Sequence, residues 1–558
     1  MQLSGSEIIV KCLLEQNVDT VFGYPGAANL PLYDALYDAP IRHILTVHEQ
    51  GAAHAADGYA RASGRVGVCL ATSGPGATNL VTGLATAYMD SSPIVAITGQ
   101  VATTLFGQDS FQELDIVGIT MPITKHNFLV NDISTLAETV RMAFQIAASG
   151  RPGPVLIDVP CDIMSAQGEF TPISSSGGET SSQSGPETYS FQEMVDVAVA
   201  AVSQAKRPIM LVGGGIKAGD SWKEARALAE TAGLPVVSTL MGLGAFSAKH
   251  RCFLGMTGMH GHRAANWTVS EADVILAVGT RFSNRVTSDC NKYAQGKTII
   301  HLDVDPSEMN KNVPAEIMVI GDLRQTLRAM REAFLQQSSV NFSAWWSQID
   351  SWKQEFSISY DENQLNAPWV MEHMSGNTGE HSVMWVTDVG QHQMWAAQHL
   401  KIDAPRAWIS SGGLGTMGFG VPAALGAQLA CPDKRAVLVV GDGGFKMTGM
   451  ELYTIVHAEV PVIIVIMNNR SLGLVRQLQQ VFCQQRYSAT NLPDFDFVNY
   501  SRLCGALAAE ANTPTEFAAV FQQALQAKQS FIIVANVDKD DLVEPMVSPG
   551  ASINQFIL

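Results

Sequence analysis

The feature that most constrains this chain is a recurring short, almost wholly apolar run. GVCLAT, PIVAIT and PVLIDV come early, IMLVGGG, PVVSTL, VILAVG and IIHLDVD in the middle, and AVLVVGDG, VIIVIMNN and FIIVANV late. Helical stretches separate them nearly everywhere, which is the rhythm of parallel α/β sheets. AVLVV and PVIIVIM are each less than half of the ~20 residues that span a bilayer, so they read as buried strands rather than membrane segments. At 558 residues the chain is too long for one compact core. The segment GEFTPISSSGGETSSQSGPET is a Ser/Gly/Thr/Pro mixture that buries little and reads as a linker. A second boundary falls where a helix carrying Trp345, Trp346 and Trp352 gives way to polar loops. The expected fold is therefore three doubly wound parallel-sheet α/β domains at 1–165, 190–340 and 376–545. Linkers are expected at 166–189 and 341–375, with a tail at 546–558. The first and third domains could share a fold.

A net charge of −17 argues against a nucleic-acid or anionic-membrane surface, because phosphate binding needs clustered Lys and Arg. The opening MQLSGSEIIVKCLLEQ places charges where a signal peptide needs its apolar stretch, and reads as an amphipathic helix. The eight cysteines lack close pairs, which fits reduced thiols and neither zinc nor a disulfide frame. A cytoplasmic protein acting on small molecules is the expectation.

Two strand ends carry chemistry. VLVVGDGG ends on Asp442, flanked by Gly441, Gly443 and Gly444, which let the backbone approach a ligand, and VIIVIMNNRSLG ends on Asn468-Asn469. The separation, 469 − 442 = 27, suits a strand, a crossover helix near MTGMELYTIVHAE and a return strand, so both groups emerge at the carboxyl edge of adjacent parallel strands. Ligands bind at that edge. A carboxylate, an amide oxygen and a backbone carbonyl are hard donors suited to an octahedral Mg²⁺ that also holds phosphate oxygens. Taken singly, Asp-Gly is a common turn and Asn a common helix cap. Together the pattern resembles the thiamin diphosphate signature, which implies Asp442, Asn469 and the Ser471 carbonyl as metal ligands, with Leu472 and Gly473 beside them.

In ILTVHEQGAAHAA a short strand runs into Glu49. The coenzyme is activated when an acid bonds the far nitrogen of its aminopyrimidine ring, and a carboxyl in a dry pocket can do this because burial raises its pKa. Glu49 is the candidate; the alternative is a helix-start carboxylate stabilised by the macrodipole. With the metal motif, the chain resembles the thiamin-diphosphate enzymes, whose pyrimidine-binding, central and diphosphate-binding domains follow this order. That resemblance implies that Glu49 of one subunit meets the diphosphate site of another, so a dimer is the minimal unit.

The resemblance narrows to the acetohydroxyacid synthase (acetolactate synthase) catalytic subunits through FGYPGA, HEQGAA, ATSGPGATNL, DSFQE, TKHNF, SGRPGPV, LGMTGMHG, DVGQHQMWAAQ, SSGGLGTMGFG and NNRSLGLVRQ, across nearly the whole chain. It implies that Gly26, Gly390, Gln391 and His392 contact the coenzyme, with Met417 as the apolar wedge that bends it. Phe111, Gln112, Lys125, Met259, Arg285 and Leu478 would line the substrate pocket or its entrance, Arg285 pairing with the carboxylate of the second 2-keto acid as a guanidinium fork can. FAD is the second implied cofactor, at Ser91, Arg151, Gly213, Gly214, Gly215, Thr239, His260, Gly261, Gly279, Thr280, Arg281, Asp303, Val304, Asp305, Gly321 and Asp322. The glycines after IMLV are a weak signal alone. An acid at the end of IIHLD is well placed for an adenosine moiety.

The expected reaction is decarboxylation of pyruvate and transfer of the two-carbon unit to a second 2-keto acid, giving 2-acetolactate, and 2-aceto-2-hydroxybutyrate when 2-ketobutyrate accepts. Such enzymes act in branched-chain amino acid biosynthesis or acetoin formation. Homodimers or dimers of dimers, and a small regulatory subunit, are the implied partners. The alternatives are a pyruvate oxidase-like oxidoreductase, a cyclic-diketone hydrolase or another carboligase. They stay open because the sequence departs from the family pattern. Ala27 stands for a glycine, Asn29 for an apolar residue, Val47 for an arginine, Ser283-Asn284 for two acids, and Leu478 for a tryptophan that shapes the acceptor pocket. Pocket fit of this kind is worth only ~1–3 kcal/mol, so weak preference for 2-ketobutyrate over pyruvate is expected.

Overall fold

The apolar runs become three six-stranded parallel sheets. The computed structural model describes residues 1–173, 191–337, 340–356 and 360–558. Most of the expected linker 166–189 lies outside them.

The first sheet comprises β1 (Thr20–Gly23), β2 (Arg42–Leu45), β3 (Gly67–Ala71), β4 (Ile94–Gln100), β5 (His126–Leu129) and β6 (Val155–Pro160), in the order β2-β1-β3-β4-β6-β5. The central sheet comprises β7 (Pro208–Val212), β8 (Val236–Ser238), β9 (Phe253–Met256), β10 (Val274–Val278), β11 (Thr298–Asp303) and β12 (Ile317–Ile320), in the order β9-β8-β7-β10-β11-β12. The third comprises β13 (Val383–Thr387), β14 (Trp408–Ser410), β15 (Arg435–Gly441), β16 (Ile463–Asn468), β17 (Leu507–Ala511) and β18 (Phe531–Asn536), in the order β14-β13-β15-β16-β18-β17. The first and third sheets are thus wired identically, and the central one has the doubly wound order of dinucleotide-binding folds. The middle strands β3, β4, β7, β10 and β18 are buried almost throughout, as covering helices on both faces require.

The chain packs as two compact units. One holds the first and third sheets, joined by a seam between the helices Glu49–Ser63 and Gly420–Ala430. Both helices are rich in Ala and Gly along the contact, so backbone meets backbone. A Cβ at Gly58 would overlap the Ala423 carbonyl, and one at Gly426 would overlap the Ala55 carbonyl. Near the start of the chain, Gln2–Ser4 pairs antiparallel with Gln167–Glu169.

The other unit holds the central sheet. The Trp-bearing helix Ser343–Glu355 buries Trp345 and Ile349 in its core. The C-terminal segment is bound to the same core. The Val547 N–H donates to the Met259 carbonyl. Asn266 donates to the Ile553 carbonyl and Arg263 to the Leu558 carbonyl. Among the described residues no helix is long and apolar enough to cross a membrane, and all eight cysteines are free.

Candidate active site

In the third sheet, β15 and β16 are adjacent and parallel, with Gly441 opposite Met467, so Asp442 and Asn469 leave the same sheet edge side by side. Asp442 opens the helix Asp442–Thr448, is 2% exposed and accepts its neighbour's amide, Gly443 N–H, at 3.0 Å. Burial pushes its carboxyl up to about 6, against the pull of the Gly443 amide and Lys446. A dry carboxyl is costly as an anion unless a cation answers it. The Asn469 Oδ1 accepts the Ser471 N–H at 3.1 Å, and Ser471 is pinned by its hydroxyl to the Thr490 carbonyl at 3.0 Å, which fixes the course of the backbone carrying the third expected ligand. A carboxylate and an amide oxygen at neighbouring strand ends are the donor chemistry of Mg²⁺. A Cβ on Gly443 would stand 2.7 Å from the Leu472 side chain and 3.8 Å from the Met417 methyl, so Met417, Gly443 and Leu472 line one hollow.

The loop bearing Met417 is held by acids that sequence reasoning missed. Asp388, fully buried at the end of β13, accepts the N–H of Val389, Gly418 and Gly420 at 2.8 to 3.1 Å. Asp90 accepts the N–H of Gly412 at 3.1 Å and Gly413 at 2.6 Å, and is itself paired with Arg61 at 3.0 Å. Gly415 and Gly418 sit at φ +71° and +89°, so the loop needs glycine there. Gly390, at φ +150°, closes the turn after Asp388. The only sequence signal for Asp388 was its place at a strand end, in a stretch quoted above but given no role.

In the first sheet, Glu49 begins the helix Glu49–Ser63 with His48 as N-cap, and is 9% exposed. Asn79 donates to its Oε2 at 2.9 Å. Its Oε1 faces Gly76, where a Cβ would come within 3.1 Å. The departure at Asn29 has a structural reason: its buried amide oxygen accepts the Gly26 N–H at 2.8 Å and fixes the GYPGA turn, while a Cβ on Gly26 would overlap Thr72. Gln112 takes φ +61°, and its backbone lies against Gly74. Phe111 is 86% exposed. The Lys125 ammonium donates to the carbonyls of Ile146 and Ser149 at the end of the helix Ile133–Ala148. Leu478 projects from the helix Gly473–Phe482 with Val475 and Phe482, all partly exposed. Ser91 and Arg151 meet, Arg151 Nε donating to Ser91 Oγ at 2.8 Å.

The central unit gathers its own set. At the switch in strand order between β7 and β10, Gly213 and Gly215 pack against Gly279, which takes φ +58°. The Gly213 N–H donates to the Val278 carbonyl and the Gly215 N–H to the Gly279 carbonyl, so the two strand-end loops close on each other where such folds bind dinucleotides. Asp303 ends β11, where burial raises its carboxyl, and it accepts the Asp305 N–H at 3.0 Å. The Gly321 N–H donates to the Asp303 carbonyl, and Asp322 caps the next helix. Thr239 caps the turn Leu240–Gly242, Thr280 is buried and half-exposed Val304 follows Asp303. His260 is buried against the Pro545 carbonyl, its pKa lowered to about 4 by burial. Gly261 packs on Asn266, and the Arg281 carbonyl accepts from Asn312. Arg285 Nη1 donates to the Met259 sulfur at 3.0 Å, a weak acceptor, and no carboxylate pairs with it among the described residues. Gln391 and His392 are buried at the start of the helix Gln391–His399, Gln391 donating to the Asp541 carbonyl.

Three profiles of the thiamine pyrophosphate enzymes match the chain: the N-terminal TPP binding domain at residues 3–119, the central domain at 195–330 and the C-terminal TPP binding domain at 388–535. Among curated relatives, a probable acetolactate synthase large subunit of Methanocaldococcus jannaschii is 42% identical, covering 100% of this chain and 95% of its own length. The acetolactate synthase isozyme 3 large subunit of Escherichia coli is 42% identical over 100% of this chain and 98% of its own. The isozyme 2 large subunit of the same organism is 43% identical over 100% and 99%.

Proposed function

Because the chain belongs to the thiamine pyrophosphate enzymes, among the acetolactate synthase large subunits, we propose that it decarboxylates pyruvate and joins the remaining two-carbon unit to a second 2-keto acid, giving 2-acetolactate for branched-chain amino acid biosynthesis. The observation that carries this reading is the pairing of Asp442 and Asn469 at adjacent strand ends, in a chain that matches such large subunits over its full length.

Asp442, Asn469 and the Ser471 carbonyl would hold Mg²⁺, and the metal the diphosphate. Thiamin diphosphate supplies a carbon nucleophile and a sink for the electrons released with CO₂. The chain's residues prepare that chemistry. Glu49 presents Oε1 toward the open side of Gly76, since Asn79 occupies Oε2; Oε1 would hold and return the proton at the far ring nitrogen. Met417 offers an apolar, adaptable surface beside Gly443 on which the coenzyme would bend. Arg285, whose side chain among the described residues donates weakly to the Met259 sulfur, would offer its guanidinium fork to the carboxylate of the acceptor. The glycine-rich switch point of the central sheet, with Asp303, would hold FAD. Phe111, Gln112, Lys125 and Leu478 would frame the substrate entrance.

Pairing of two copies, so that Glu49 of each serves the other's coenzyme, extends the reading, as does a small subunit, since the relatives are named large subunits. Eight free thiols suit a cytoplasmic setting. Leu478 favours a second reading in detail, an enzyme with a broadened acceptor. Incubating the purified protein with pyruvate, thiamin diphosphate, Mg²⁺ and FAD, with and without 2-ketobutyrate, tests both. Acetolactate is the expected product. Acetate or acetyl phosphate, formed as the flavin bleaches, would instead make it an oxidase.

A further inference from the structure

Between the end of β2 at Leu45 and the start of the helix at Glu49, the chain turns through Thr46, Val47 and His48. The Thr46 N–H still reaches the Gly23 carbonyl of β1, but the Val47 and His48 amides have no ladder or helix partner and must be answered from elsewhere. Here the answer comes from about four hundred residues away in sequence. Glu451, 2% exposed, accepts the Val47 N–H at 3.1 Å on both oxygens and the His48 N–H at 3.1 Å on Oε1. Thr454 Oγ1 donates to its other oxygen at 2.7 Å. Gly51, in the first turn of the same helix, leaves the space that Oε1 occupies, for a Cβ there would overlap it.

An acid in this position is expensive to bury, and burial indeed raises its pKa against the pull of Thr454, Val47 and His48. An apolar side chain would pack as well and leave the amides orphaned. The Val47 and His48 amides at 3.1 Å and the Thr454 hydroxyl at 2.7 Å converge on one carboxyl group, so this placement fixes the turn from several directions. Glu451 also opens the helix Glu451–His457, which follows directly on the helix Asp442–Thr448 begun by the metal-site carboxylate.

We propose that Glu451 is a positioning residue for Glu49, setting through the Val47 and His48 amides where the acid stands and tying it to the metal-site helices of its own chain. This rests on the assignment of Glu49 as the acid that activates the coenzyme. If Glu49 serves the coenzyme of the partner subunit, the link runs from one site's metal helix to the other site's acid.

The test compares Glu49→Gln, Glu451→Gln, Glu451→Ala and the double variant Glu49→Gln/Glu451→Ala, all as full-length protein. In the apoprotein, Glu451→Ala should speed backbone amide exchange at Val47 and His48. In the loaded enzyme it should slow deuterium exchange at the coenzyme's reactive carbon and lower kcat about 10²-fold, the scale of a misplacement near 1 Å, with KM for pyruvate little changed. Glu451→Gln, which keeps an acceptor oxygen, should recover part of both effects. The double variant should be no slower than Glu49→Gln alone, because both losses act through one group. Unchanged amide exchange, or losses that add fully, would overturn the proposal. Wild-type carbon exchange in Glu49→Gln would remove the assignment of Glu49 itself; slow exchange there with wild-type exchange in Glu451→Ala removes only the role of Glu451. Should the alanine variant fail to fold, the glutamine variant decides by the same readouts.

Discussion

Glu49 is the residue on which the proposed chemistry turns, and its surroundings make a sharp demand. One oxygen is held by Asn79 and the other faces a glycine, so Glu49→Gln should lose kcat by ~10²–10⁴-fold, the usual share of a positioned acid, while the fold and diphosphate affinity persist. Stopped-flow or steady-state turnover with pyruvate checks this. At the proposed acceptor wall, Leu478→Trp should raise the product ratio of acetohydroxybutyrate to acetolactate about tenfold in mixed-substrate competition, in line with a ~1–3 kcal/mol gain of fit. Glu49, Asp442 and Asn469 were legible in the sequence as candidates because each stands where an apolar run stops, a purely local signal. Asp388, Asp90, Asn79 and Glu451 were not, because what they do depends on amides or carboxyls 30 to 404 positions away.

Strands were the most legible elements, since buried parallel strands announce themselves as continuous apolar runs. Pairing order was not, although the suspicion that the first and third domains share a fold is met strand for strand. The helix seam was invisible for another reason: Ala and Gly in EQGAAHAADGYARAS describe a helix with no apolar stripe, and only the facing Gly420–Ala430 explains why small residues are needed. Gly426→Ala should therefore destabilise by about 1–3 kcal/mol, as overpacking does, despite the better helix propensity of Ala. Thermal or denaturant unfolding of the apoprotein measures it. At the strand-end pair, chelation should abolish turnover and thiamin diphosphate retention, and Mg²⁺ should restore both; Asp442→Ala should not be rescued.

At the scale of the whole chain, VSPGASINQFIL carries no periodic pattern, and its role emerges only from contacts made nearly three hundred residues upstream. Removing residues 546–558 would take the Ile553 carbonyl from the buried Asn266 amide, which keeps its bond to the Gly258 carbonyl, and would expose the core around Ile553, each loss worth roughly 1–3 kcal/mol. The expected result is a lower unfolding midpoint and, where FAD binds the central sheet, flavin lost on gel filtration. The two like-wired sheets are joined through a pair of helices whose backbones touch at Gly58–Ala423 and Ala55–Gly426, with little side chain between them at those points. A joint of that kind has few rotamers with which to slip, so both sheets should behave as a single solid block. Admission of a coenzyme must then draw on motion in the flanking loops, such as those around 101–115 and 483–496, and not on a hinge between the sheets.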